Sequence, residues 1–222
     1  EILIGLVGSE MCIRDSYKRE PSFPIAVACD PAFNFVYEAN IRYLHHLGEV
    51  TYFSPLADTS LPDVGFVYLP GGYPELYLAA LSANRPMLQS IRRYVESGGK
   101  LLAECGGMMY LCDEIRDKNG DVYPMAGVLH QSATMENMKL RLGYRTLLYN
   151  ETRLKGHEFH YSRLVEQQNP LPSCAVAYTA KGVETDTPLY HYKNVWAGYT
   201  HLYWADPVGN EWFTKFVIDG NT

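Results

Sequence analysis

The stretch KLLAECGGMMYL, residues 100–111, decides the fold of this chain. Its first five residues are typical of a buried strand, which leads directly into Cys105, two glycines and a second apolar segment. A strand that turns sharply into a helix presents its central side chain at the carboxyl end of a sheet, and glycines allow the tight turn. Cys105 is therefore a candidate nucleophile, and the N-terminus of the next helix is expected to favour its thiolate. The alternative is a small buried hydrophobic residue, the usual role of a free cysteine.

Short apolar runs alternate with amphipathic segments on either side of this stretch, which predicts parallel strands joined by helices. Strands are predicted at 24–30, 49–55, 64–72 and 100–104, and helices at 34–48, 74–84 and 85–99, the first with Asn34 as its N-cap. Beyond residue 120 the alternation is typical of antiparallel strands, with a final helix at 208–218. The predicted fold is α/β: an open, doubly wound, mostly parallel sheet flanked by helices, with extra antiparallel strands in the C-terminal half.

The chain of 222 residues is long enough for one substantial domain, which we place at residues 23–222. Residues 1–22 differ in pattern from the rest, and EILIGLVGSEMCIRDS resembles translated library adapter sequence. We expect this leader to be non-native or disordered.

Composition excludes several classes of protein. The net charge of −6 is spread without charged blocks, so a nucleic-acid partner is not expected. No apolar run is long enough to cross a membrane, and the expected location is the cytoplasm. The five cysteines are scattered without a C-x-x-C pair, which argues against a disulfide framework and against structural zinc.

A second pair of glycines lies in YLPGGYPE, residues 68–75, at the end of the preceding predicted strand. Gly71, Gly72 and the Tyr73 amide are expected beside Cys105 at the next strand tip. Together with the Gly106 amide, they could donate to the oxyanion that forms when a thiolate attacks a carbonyl. The alternative is an ordinary turn, because Pro-Gly-Gly is common in turns.

A cysteine nucleophile needs a base, and the chain has seven histidines. His201 is the candidate, because it ends the predicted strand VWAGYTH, residues 195–201, and therefore lies at a strand tip. His45 and His46 fall in the middle of a predicted helix, where a solvated or packed role is more common.

Four motifs, YLPGGYPE, AECGGMMYL, GHEFHYS and YTHLYWA, occur in this order, and AVACDPAFNF precedes them. Together they resemble the glutamine amidotransferase domain of cobyrinic acid a,c-diamide synthases, in the cobyrinate/cobyric-acid branch of the class I amidotransferases. The resemblance spans about residues 24–218 and implies a flavodoxin-like class I amidotransferase fold.

The resemblance also implies roles for individual residues. Cys105 would attack the side-chain amide of glutamine, His201 would take the thiol proton and give it to the departing ammonia, and Gly72 and Gly106 would hold the oxyanion. The ammonia would pass to an N-terminal synthetase domain that uses ATP and magnesium to amidate corrinoid carboxylates in cobalamin biosynthesis.

The sequence departs from the class I pattern in two respects. Many class I amidotransferases orient the histidine with a glutamate two residues later, but Tyr203 stands there, and the candidate supporting acids are Glu158 and Asp206. No G-x-x-x-x-G-K-[ST] phosphate loop occurs in the chain, so ATP and magnesium are expected only in a synthetase domain outside it, and we expect no cofactor here.

GHEFHYS, residues 156–162, also suggests a metal site, but H-E-x-H is one residue short of the zinc motif H-E-x-x-H. On a strand, His157 and Glu158 would lie on opposite faces, so no metal is expected. The segment could instead border the glutamine pocket or the ammonia exit.

Three other functions stay open. They are amidation of nickel-sirohydrochlorin by the same domain, a non-catalytic regulatory module, and a cysteine hydrolase acting on another amide or ester.

Overall fold

The computed structural model describes residues 23–219, so the predictions for the leader at 1–22 lie outside the described residues. The strands are β1 (Phe23–Ala28), β2 (Gly48–Phe53), β3 (Phe66–Leu69), β4 (Lys100–Glu104), β5 (Glu114–Arg116), β6 (Val122–Pro124), β7 (Ser132–Thr134), β8 (Arg141–Tyr149), β9 (Thr152–His160), β10 (Arg163–Leu164), β11 (Val176–Thr179), β12 (Glu184–Thr185), β13 (Leu189–Tyr192), β14 (Val195–Gly198) and β15 (His201–Tyr203). The helices are α1 (Glu38–Leu47), α2 (Leu78–Ala83), α3 (Arg85–Glu96), α4 (Gly106–Leu111) and α5 (Pro207–Thr214), with a 3₁₀ turn at Pro74–Leu76 and a π-helical turn at Lys215–Asp219.

The central sheet has six strands in the order β13-β14-β4-β3-β1-β2. All of its neighbouring strands are parallel except β13, which pairs antiparallel with β14 at one edge. The order β2-β1-β3-β4-β14 is the 2-1-3-4-5 order of flavodoxin-like folds. Strands β3 and β14 are buried along their whole length because helices cover both faces, as parallel sheets require. The predicted doubly wound fold is confirmed.

Two hydrophobic cores lie on the two sides of this sheet. One contains apolar side chains of α2, α3 and α4, and the other contains those of α1 and α5 together with Leu147 and Leu154 of the β8–β9 hairpin. Helix α3 follows its sequence signals, since the Asn84 side chain accepts a hydrogen bond from the Met87 amide at its first turn (3.4 Å). Within residues 23–219, no helix combines the length and the hydrophobicity needed to cross a membrane.

Two further sheets lie in the second half of the chain, and their strands are antiparallel, as predicted, except for the parallel pair β5 and β7. The five-stranded sheet has the order β12-β11-β8-β9-β15, and the four-stranded sheet has the order β10-β7-β5-β6. Strands β8 and β9 form a hairpin over nine paired positions, with both turn residues, Asn150 and Glu151, at positive φ. Strand β15 pairs with β9, which brings the edge of this sheet to the carboxyl end of β4.

Three predicted elements differ from the structure. Helix α1 begins at Glu38 instead of following an Asn34 cap, because the Phe35 amide donates to the Gly71 carbonyl (3.0 Å) and holds this segment against the glycine turn. The predicted helix at 74–84 is a 3₁₀ turn followed by the short α2. The predicted strand 195–201 is broken.

The break falls after Gly198, whose carbonyl accepts a hydrogen bond from the Cys105 amide (2.7 Å). The chain then leaves the central sheet, and His201 begins β15 in the five-stranded sheet. The candidate nucleophile and the candidate base therefore come from two different sheets.

Candidate active site

Cys105 occupies the turn between β4 and α4, with φ of 49° and ψ of −105°. A non-glycine residue at positive φ is uncommon and strained, and such residues cluster at functional sites. The side chain is 5% exposed, and its sulfur lies 4.0 Å from the Phe159 carbonyl oxygen. The turn therefore places the thiol at the carboxyl edge of the central sheet, at the position that the sequence indicates for a nucleophile.

The two glycines after Cys105 are required by close packing of α4. A Cβ added to Gly106 would lie 2.7 Å from Cδ of Pro74, and one added to Gly107 would lie 2.1 Å from the carbonyl oxygen of Leu69. Since real Cβ atoms do not approach backbone oxygens so closely, any side chain at 107 would push α4 away from β3. The glycines thus let the helix that carries the cysteine pack directly on the neighbouring strand.

His201 is buried, at 3% exposure, and its ring is enclosed by other rings. It is paired with His157 across β15 and β9, and the two imidazoles stack with centroids 5.0 Å apart. The Phe35 ring lies 4.5 Å away, centroid to centroid. A Cβ added to Gly71 would lie 2.2 Å from Cε1 of His201. Gly71 therefore makes room for the imidazole.

Strand β15 is fastened to α1 by one buried side chain. Asn40 donates from Nδ2 to the Leu202 carbonyl oxygen (2.8 Å) and accepts at Oδ1 from the Trp204 amide (3.1 Å). The short strand that carries His201 is thus held by a helix of the central layer as well as by β9.

Cys105 and His201 line the same small cavity. Its volume is about 20 Å³, room for about one water molecule. The lining residues are Phe35, Gly72, Tyr73, Cys105, Phe159 and His201. A second cavity of about 20 Å³ also reaches Cys105 and is lined by Glu75, Met109 and Ser162 among others. His160 and Ser162 are shared with a cavity of about 310 Å³ that extends away from the sulfur to Arg141 and Glu158.

Of the four predicted oxyanion donors, Gly72 and Gly106 lie next to each other at Cys105. Gly106 directs its amide at the Cys105 sulfur, and a Cβ on Gly106 would lie 3.3 Å from the Gly72 nitrogen, so the two amides are neighbours. The Tyr73 amide instead donates to the Ala32 carbonyl (3.0 Å), and Gly71 makes room for His201. The prediction for the Tyr73 amide as an oxyanion donor is therefore corrected, and that for Gly71 stays a prediction.

Burial keeps both candidate groups uncharged. Burial, reinforced by Glu75, raises the pKa of the Cys105 thiol to about 12, although the Gly106 amide opposes this. Burial and the nearby His157 and His160 lower the pKa of His201 to about 3. The Gly106 amide at the start of α4 favours the thiolate, as expected, but desolvation outweighs it in this closed site. Near neutral pH the pair is a thiol and a neutral imidazole.

Neither predicted supporting acid contacts His201. Glu158 forms an ion pair with Arg145 (2.6 Å) and alternates to the opposite face of β9 from His157. Asp206 accepts from the Gly209 amide (2.7 Å), which caps α5, and pairs with a lysine. Both predictions are corrected, because these carboxylates have other partners.

A different acid, Glu104, lies beside His201, and the sequence reasoning missed it. Its Oε2 atom is 3.9 Å from Nδ1 of His201, and the side chain is 2% exposed. Burial raises the pKa of Glu104 to about 8, against hydrogen bonds from Tyr68 and the Leu202 amide that lower it. A signal was present in the opening stretch, since Glu104 is the sole charged residue in LLAECGGMMYL.

Among the described residues, no three or more histidine, cysteine or acidic side chains are grouped so as to hold a metal ion. The groups available for chemistry at this site, which is formed by residues of two sheets, are a thiol, an imidazole, backbone amides and one buried carboxyl group.

A buried cysteine at a strand-to-helix turn, sharing a cavity with a histidine on a flavodoxin-like sheet, defines the class as a cysteine–histidine amidotransferase-like protein. Solved structures share the fold. A chain of PurLQS from Thermotoga maritima aligns with a TM-score of 0.60 at 16% identity, over 90% of this chain and 100% of that one. A glutamine amidotransferase from the same organism gives 0.53 at 12% identity, over 90% and 84%.

The family described as the CobB/CobQ-like glutamine amidotransferase domain matches residues 24–208, and the chain belongs to this family. The resemblance found in the sequence is confirmed. The hydrogenobyrinate a,c-diamide synthase of Pseudomonas aeruginosa is 40% identical over 185 residues, which cover 81% of this chain and 41% of that protein. The cobyrinate a,c-diamide synthase of Clostridium acetobutylicum is 37% identical over 214 residues, covering 92% and 47%. The chain thus spans less than half the length of these relatives.

Proposed function

We propose that this chain is the glutaminase portion of a cobyrinate-type a,c-diamide synthase, and that it releases ammonia from glutamine. The observation that carries the proposal is the shared cavity of Cys105 and His201, with the neighbouring amides of Gly72 and Gly106 beside the sulfur. Family membership and the names of the relatives support the same function.

In the proposed reaction, Sγ of Cys105 attacks the γ-carbonyl carbon of glutamine while its proton passes to His201. The amides of Gly72 and Gly106 hold the resulting oxyanion. Collapse of the tetrahedral species breaks the C–N bond, and His201 returns the proton to the departing ammonia. This leaves a γ-glutamyl thioester, which water attacks with His201 as base, and glutamate is released.

The neutral ground state of the pair constrains the order of these steps. Because Cys105 and His201 are both uncharged near pH 7, the thiol loses its proton as the carbonyl is attacked, as in serine hydrolases. The aromatic walls at Phe35, Tyr73 and Phe159 exclude bulk water from the thioester.

The cavities at Cys105 are too small for glutamine, so its entry requires side chains at the rim to move. Tyr73 and Phe159 are the candidates, since they line the cavity yet are 43% and 38% exposed. Glu75 is the acid in the second cavity, where it is suited to the α-ammonium group of the substrate.

The ammonia would be used outside this chain. We propose that an ATP-dependent synthetase portion of a longer protein activates the a and c carboxylates of a corrinoid-type acceptor, with ATP and magnesium bound there. This is supported by the relatives, which are more than twice as long as the aligned region and are named a,c-diamide synthases.

Glutamate release from glutamine by the purified chain tests the proposal. We expect Cys105→Ala and His201→Ala to abolish release, and Cys29→Ala, which removes an exposed thiol, to leave it unchanged. A glutamine analogue with an electrophilic γ-substituent should label Cys105, as read by peptide mass spectrometry. Release that survives Cys105→Ala would overturn the assignment.

A further inference from the structure

The ring of His201 is restrained on several sides but has an open nitrogen. His157 stacks on the ring, and Gly71 leaves no space beyond Cε1. Within the described part of the chain, Nδ1 makes no hydrogen bond, and its ion-pair neighbour is Glu104, with Oε2 at 3.9 Å. A small shift of either side chain would bring the two atoms into hydrogen-bond contact.

Glu104 itself is held rigidly. The Tyr68 hydroxyl donates to Oε2 (2.7 Å), and the Leu202 amide donates to Oε1 (3.0 Å). Leu202 directly follows His201, and Glu104 directly precedes Cys105. The bond between the Leu202 amide and the Glu104 carboxyl group therefore links the two chain segments that carry the candidate base and nucleophile. With both donors fixed, Oε2 of the ionised carboxylate keeps its second lone pair for the Nδ1 atom.

The position where class I amidotransferases carry an acid is occupied by Tyr203, which is 37% exposed. Glu158 and Asp206 are held by other partners and do not contact His201, so neither is placed to orient its ring. Glu104 is therefore the carboxyl group placed to fix which nitrogen of His201 carries the proton.

We infer that Glu104, in its ionised form, is a positioning residue that keeps the proton of neutral His201 on Nδ1, so that Nε2 is free to accept the thiol proton of Cys105. The inference rests on the proposed function for its catalytic consequence. When His201 becomes an imidazolium during attack, the Glu104 carboxyl also stabilises the positive charge. Glu104, at the end of the strand that precedes Cys105, thus takes the place of the acid that is absent at position 203.

The tautomer of His201 can be read directly. In the chain labelled with ¹⁵N-histidine, ¹H–¹⁵N correlation spectra distinguish Nδ1–H from Nε2–H, and the His201 signals are those lost in His201→Gln. At pH 9, where Glu104 is ionised, we expect Nδ1–H in the wild type. In Glu104→Gln the amide can donate to Nδ1, which favours Nε2–H. Wild-type His201 in the Nε2–H form at pH 9 would overturn the inference, whether or not the variant folds.

Kinetics give a second measurement. For a base held in the wrong tautomer we expect kcat for glutamate release at pH 9 to fall by about a hundredfold or more in Glu104→Gln, with KM little changed. Glu104→Asp, which keeps a carboxylate, should recover part of the loss, and the exposed control Glu211→Gln should match the wild type. Wild-type kcat in Glu104→Gln would refute the inference while glutaminase function stood. If the wild type releases no glutamate, the proposed function fails, and the tautomer still decides the role of Glu104.

Discussion

Glu104 should make the stability of this protein depend on pH in an unusual direction. The folded protein keeps the proton of this buried carboxyl up to about pH 8, whereas a free glutamate releases it near its ordinary pKa of 4.5. Between these values the unfolded chain binds fewer protons than the folded one, so stability falls as pH rises. The contribution is fully present below pH 4.5 and is lost as pH rises through about 8.

The size of this loss of stability follows from the pH interval between the two pKa values. Each pH unit within it costs about 1.4 kcal/mol, so between pH 5 and pH 8 the wild type should lose about 4 kcal/mol through this one group. Glutamine is neutral at both pH values and nearly the same shape, so Glu104→Gln should not show this loss. The opposite effect of His201, whose lowered pKa makes stability fall below pH 6.5, is common to both proteins.

Urea denaturation of the wild type and Glu104→Gln at half-unit steps from pH 5 to pH 8 measures the difference. We expect the free energy of unfolding of the variant, relative to that of the wild type, to increase steadily as pH rises, with unchanged urea m-values. Parallel stability curves across the whole range would refute the reasoning, because they would show that the carboxyl is ionised at little cost in the folded protein.

Three further outcomes are expected. Gly71→Ala should displace the His201 ring and lower kcat at least about tenfold with a near-normal fold by circular dichroism, since its Cβ would lie 2.2 Å from Cε1; full activity would contradict the packing described. Asp206→Ala should cost about 1 kcal/mol in thermal or urea unfolding through the lost α5 cap, and leave kcat unchanged; a large fall in kcat with little loss of stability would restore this acid as a candidate. Iodoacetamide should modify exposed Cys29 much faster than Cys105 at pH 7 to 8, because burial raises the pKa of Cys105 to about 12; rapid labelling of Cys105, followed by mass spectrometry, would indicate an open thiolate.

The parts of the fold that follow from local pattern could be predicted from the sequence. Continuous apolar runs identified β3 and β4 because parallel strands are buried on both faces. The abrupt change at Cys105 from strand to glycine-rich helix located the candidate nucleophile, since such a turn is encoded within a few residues.

Features set by distant contacts could not be predicted in this way. The start of α1 depends on the bond between Phe35 and the Gly71 carbonyl, and the break after Gly198 depends on its bond to Cys105. Glu104 was missed because consecutive strand residues point to opposite faces, which argues against an acid next to the nucleophile sharing its site. The positive φ of Cys105 and the move of β15 to another sheet bring the two together.

The division of the pair between two sheets also has a mechanical consequence. Cys105 belongs to the parallel sheet and His201 to the antiparallel one. Asn40 of α1, which packs on the parallel sheet, binds the backbone of the strand that carries His201. Sliding of one sheet by a fraction of an ångström would uncouple the proton transfer without disturbing either residue's own strand. A displacement of the β8–β9 hairpin would reach the imidazole through the paired strands β9 and β15, so we expect glutaminase activity to depend on how firmly the two sheets are held together.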